Sequence, residues 1–169
     1  MVRVGPRMNA QDVANTLWSV STLGLMPGPK PWTALEVAVV RVGPGMNAQD
    51  AANTLWSAAT LGMMPGAEAR ATLEAAVVRV SSDMSAQDAA NTFWSVSTLR
   101  WMPGSEAWAA LEGAVVREGA VMNAQDAADT VKALATLGRM PRAEAWVALV
   151  AVVVRVGPGM SAQDVTHTL

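Results

Sequence analysis

Three successive 38-residue stretches carry the same side chains able to touch a ligand: Gln11, Asn15, Trp18 and Thr22, then Gln49, Asn53, Trp56 and Thr60, then Gln87, Asn91, Trp94 and Thr98. Amides and hydroxyls offer donors and acceptors to a planar polar edge, and an indole offers a face for stacking. Arg41, Arg79, Arg117 and Arg155 add a positive charge at the same interval, a group suited to anionic oxygens. Each set also has a structural use. The amides and hydroxyls can pair into a hydrogen-bond ladder between stacked units, and the tryptophans can pack between them. The arginines can complement a helix C-terminus and link to the next unit's aspartate. Spacing alone does not separate these alternatives.

Acid–base and metal chemistry find little support. Asp12, Asp50, Asp88, Asp126 and Asp164 recur once per unit, each three residues after Asn or Ser. That is capping-box spacing, with Asp in place of the usual Glu, rather than a carboxylate pair. The single histidine, His167, lies three residues from Asp164 with no nucleophile beside it in the pattern, and the chain has no cysteine. Gly-Pro-Gly at Gly43 and Gly157 lacks the Lys-Ser/Thr of a phosphate loop and reads as a turn. We therefore expect no catalytic site, no metal and no cofactor.

The elements that must position these groups follow from the repeat. Met-Asn-Ala-Gln-Asp begins at Met8 and recurs, with one Asn-to-Ser change at each of two sites, at Met46, Met84, Met122 and Met160. Four full units thus span 8–45, 46–83, 84–121 and 122–159. Residues 1–7 match the close of a unit and 160–169 the opening of one, which gives a single array resembling a piece of a longer one. Ala10, Val13, Ala14, Leu17 and Val20 share a face at helical spacing, with Gln11, Asn15 and Thr22 on a polar stripe and Trp18 between the two. Gly24 or Gly62, followed by Met-Pro-Gly, should end this first helix through a glycine C′ position. The second half holds valine-rich runs, 37–42 and 152–156, that suit a strand. Trp32, Leu35, Val39 and Val42 nevertheless recur every three to four residues, and a glutamate opens three of these segments while an arginine closes all four. A second helix, stopped at Gly43, Gly119 or Gly157, is the expectation. Stacked pairs of antiparallel helices give an all-α, right-handed α-solenoid.

Composition agrees with a chain that buries surface. Of 169 residues, 51% are apolar and 15% charged, which excludes charge-driven disorder. A net charge of −2 and a pI near 5.3 remove bulk basicity, so any polyanion must be held by local placement. The longest apolar run, 145–154, is too short to span a bilayer, and the first residues match neither a signal nor a transit peptide. Without polar capping repeats, both ends should expose apolar surface open to self-association or to a protein partner.

The run Met102 to Glu112, Met-Pro-Gly-Ser-Glu-Ala-Trp-Ala-Ala-Leu-Glu, and the run Gln49 to Gly62, with Ala-Asn-Thr-Leu-Trp and Ala-Thr-Leu-Gly, resemble the octotricopeptide repeat. This is a 38-residue helical pair of organelle RNA-binding proteins. The resemblance covers essentially the whole chain and implies single-stranded RNA as partner, often at one nucleotide per repeat. It also implies a role in RNA stability, processing or translation in a chloroplast or mitochondrion. Under it, Gln/Asn/Thr read bases, tryptophans stack and arginines hold phosphates. Units this nearly identical should prefer a simple repetitive RNA.

Overall fold

In a computed structural model of the chain, residues 8–159 are described, and they are all-α. Eight helices occur among them: α1 Ala10–Thr22, α2 Pro29–Val42, α3 Ala48–Thr60, α4 Ala67–Val80, α5 Ala86–Thr98, α6 Ser105–Glu118, α7 Ala124–Leu137 and α8 Ala143–Val156. Helix starts recur every 38 residues, as the motif requires. The valine-rich segments are helices, so three-to-four-residue spacing outweighs β-branched composition here.

The first helix of each of the first three repeats begins at a capping box. Asn9, Asn47 and Ser85 accept from the backbone N–H three residues on, and Asp12, Asp50 and Asp88 accept from the cap's own N–H in return. In the fourth repeat Asn123 caps Asp126 in one direction only. Burial pushes the Asp126 carboxyl above its ordinary pKa, and the nearby Asp129 adds to the rise. Asp164 and His167 lie outside the described residues.

The first helices end as expected where glycine is present. Gly24, Gly62 and Gly138 adopt φ of +64°, +64° and +62°, the left-handed conformation that a Cβ penalises. In the third repeat Arg100 stands at this position with φ 51°. The second helices stop differently. Gly43, Gly119 and Gly157 are right-handed and lead into a short 3₁₀ turn, so backbone freedom is not their role. At Gly43 it is close approach, since a Cβ there would collide with Thr72 Cγ2 of the next repeat.

Packing forms two layers. α1, α3, α5 and α7 pack side by side in chain order, while α2, α4, α6 and α8 form a second, less intimately packed row. Small residues explain the difference: Ala51, Ala52, Ala89, Ala127 and Ala128 are fully or almost fully buried in the first layer. The second layer is held by Leu35, Leu73, Leu111 and Leu149, each worth about 1.5–3 kcal/mol when buried. Met46, Met84 and Met122, the first residues of the motif, are at most 2% exposed and plug the core between the layers. Ser57 and Ser95 are buried in the first layer and donate to the carbonyls four residues back, so their hydroxyls are satisfied within their own helix.

Candidate nucleic-acid interface

One row of side chains on the first-helix layer is left open. Gln49, Asn53, Trp56 and Thr60 lie within roughly 60° of arc on α3, at offsets of four, three and four residues. The other first helices repeat the geometry. Gln11, Gln49 and Gln87 are exposed, as are Thr22, Thr60 and Thr98; Asn15 is exposed, and Asn53 and Asn91 are half-buried. Trp18 is 46% exposed, and Trp56 and Trp94 are partly exposed.

A ladder of hydrogen bonds between units, one of the two alternatives, does not form among these groups in the described residues. None of the row side chains, Gln11, Asn15, Thr22, Gln49, Asn53, Thr60, Gln87, Asn91 and Thr98, has a hydrogen-bond partner among the described residues. The physical reason is their angle on the helix: the face turned to the neighbouring first helix is taken by alanines and by hydroxyls bonded to their own helix. The tryptophans fall between the two expectations. Trp56 and Trp94 touch each other across repeats, with ring centroids 6.3 Å apart and planes inclined by 33°, yet both keep surface on the open side.

The arginines have a structural bond that their spacing did not reveal. Arg41, Arg79, Arg117 and Arg155 each donate from Nη2 to the carbonyl of the methionine 33 residues earlier, Met8, Met46, Met84 and Met122. Arg79 and Arg155 donate also to Gly43 O and Gly119 O. The link is therefore to backbone carbonyls and not to the next unit's aspartate. It leaves exposed guanidinium surface three residues ahead of the glutamines in sequence, where the first helices begin.

The fourth repeat departs from the other three. Lys132, exposed, replaces the tryptophan, and Asp129 replaces the asparagine and accepts from Gln125 Nε2 at 2.8 Å.

A second set of residues holds the repeats in register and was not anticipated. Glu36 accepts from Gly66 N at 2.6 Å, Glu74 from Gly104 N at 3.3 Å and Glu112 from Arg142 N at 2.9 Å. Each acceptor sits on one second helix, and each donor is the N-cap of the next. A carboxylate thus faces the positive end of the following helix. Glu112 is 2% exposed and is further held by Trp108 Nε1 at 2.9 Å and Arg142 Nε at 2.6 Å. Arg139 covers the other side of this junction, its guanidinium 4.4 Å from the Trp108 ring centre. The sequence signal was the recurring Leu-Glu, which the fourth unit replaces with Leu149-Val150.

Apolar surface is exposed on the outer repeats as expected. Leu23 is 70% exposed where Leu61 is 7%, and Trp146 is 44% exposed where Trp108 is 2%. Cavities at the first and second junctions are closed to about 10 Å³, whereas Val131, Leu134, Met140 and Trp146 border an open groove of about 370 Å³. Among the described residues no helix is long and apolar enough to cross a membrane, and no His/Cys/Asp/Glu cluster could hold a metal. Comparison with family models and with curated proteins gives no match.

Proposed function

We propose that the chain is a non-catalytic RNA-binding module of octotricopeptide-like repeats, built as a right-handed α-solenoid of antiparallel helix pairs and serving organelle RNA stability, processing or translation. The observation that carries the reading is the row of unpaired amides and hydroxyls interleaved with part-exposed tryptophans on one layer. Polar groups left free beside stacking surfaces suit an unpaired nucleotide strand. The arginine bond from the end of each second helix to the start of its own first helix supports antiparallel pairing. Closer packing of the first helices supports a stack bent toward them, with the polar row on the inner side.

Titration of labelled homopolymeric RNAs at two salt concentrations tests this. Four arginine–phosphate contacts on a single strand predict that log K falls against log salt with a slope of about −3. One homopolymer should bind better than the others, because the reading groups of three repeats are the same. A folded array that binds no RNA at low salt would remove the proposal.

A second reading, a protein-interaction scaffold, is favoured by the exposed apolar side of α8, with Val147 66% and Val154 73% exposed. It predicts association that salt barely changes.

A further inference from the structure

We infer that an unpaired nucleobase inserts between the indoles of Trp56 and Trp94, so that the nucleotide is held by two adjacent repeats rather than by one. The inference rests on the RNA reading above and makes it specific. Two aromatic planes enclosing a third need a separation of roughly 7 Å, twice the contact distance of about 3.5 Å between carbon atoms. The ring centroids already stand 6.3 Å apart, and the planes are inclined by 33° instead of lying flat on each other. Turning the two side chains so that their faces oppose each other across this gap exchanges one indole–indole contact for two base–indole contacts.

The surroundings suit the insertion. Both indoles are reachable from the open side of the first-helix layer. Asn53 and Asn91 lie one helical turn before them, and neither amide has a partner among the described residues, so both can meet the edge of the inserted base. The rings are carried on α3 and α5, which pack closely, so the gap is set by helix spacing rather than by a loop. In the next junction Trp94 faces Lys132 by register, so the fourth repeat offers a charge where a second ring would stand.

The test uses the whole chain and short single-stranded homopolymeric RNAs, with affinity read by anisotropy of a labelled RNA. The Trp56–Trp94 couplet is read by circular dichroism. RNA should abolish or invert the couplet. Trp94→Leu should weaken binding about tenfold while keeping the helical spectrum, and a cycle with Trp56→Leu should show the two losses to be strongly coupled. Should Trp94→Leu fail to fold, Lys132→Trp provides an independent arm at an exposed site. It adds a second ring and should tighten binding about fivefold at high salt, where the lost charge matters least. RNA binding with an unchanged couplet, and with Trp94→Leu and Lys132→Trp both within twofold of the parent, would overturn the insertion while leaving the RNA reading standing. Absence of RNA binding at low salt would remove both.

Discussion

Arg100 adopts a conformation that its counterparts leave to glycine, and Asp126 lacks the return cap bond that Asp12, Asp50 and Asp88 make. Three of the four first helices close on a glycine with positive φ, and the third closes on Arg100 at φ 51°. A side chain there costs about 1–2 kcal/mol relative to a right-handed residue. Arg100→Gly should therefore raise stability by about 1 kcal/mol, measured by urea denaturation, after allowing for the added freedom of the unfolded chain. Asp126 is buried, and that burial raises its carboxyl pKa above the ordinary value. The folded state thus binds a proton more tightly than the unfolded one. The stability tied to this group is greatest below the unfolded pKa and is lost as pH rises through the raised folded value. Asp126→Asn should consequently be at least as stable as the parent at pH 7 and lose that advantage in acid, as thermal melts at the two pH values would record.

At the scale of elements, Gly43 and Thr72 form a matched contact between the end of one second helix and the middle of the next. Thr72 Oγ1 already donates to Glu68 O, so its methyl cannot turn away without giving up that bond. Gly43→Ala is expected to cost about 1–3 kcal/mol through overpacking, and Thr72→Ala should recover most of it. Chemical denaturation of the two single variants and the double variant decides the point. Register supports the pairing: the next repeat has Ser81 opposite Ala110, and Gly119 lies 3.6 Å from Ala148 Cβ by its missing side chain. The elements themselves were legible because caps, apolar periodicity and glycine stops are local, as Asn47 with Asp50 and Gly62 illustrate. The contacts between repeats were not. Glu74 meets its partner 30 residues away at a helix N-cap, and Arg79 bonds to the Gly43 carbonyl of the preceding repeat, a group that carries no residue identity to read. The candidate row was legible as composition, but its lack of internal partners depends on the angle at which neighbouring helices pack.

For the molecule as a whole, stability is distributed over junctions, and the third has the most concentrated polar contact. Removing Glu112 leaves the buried Trp108 N–H without its acceptor and frees Arg142, whose side chain is 59% exposed and can return to water. The cost of Glu112→Ala is therefore about 1–3 kcal/mol, below that of a fully enclosed ion pair. In a linear array such a loss is felt locally. Hydrogen exchange should accelerate in α7 and α8 while α3 and α4 keep their protection, and uniform acceleration would contradict nearest-neighbour coupling.

The near-identity of the first three open rows has a thermodynamic corollary. A uniform polymer lying along them can shift by one unit and recover the same contacts, so several equivalent placements contribute to occupancy and the bound strand has no unique phase. Asp129 and Lys132 are where that translational degeneracy ends.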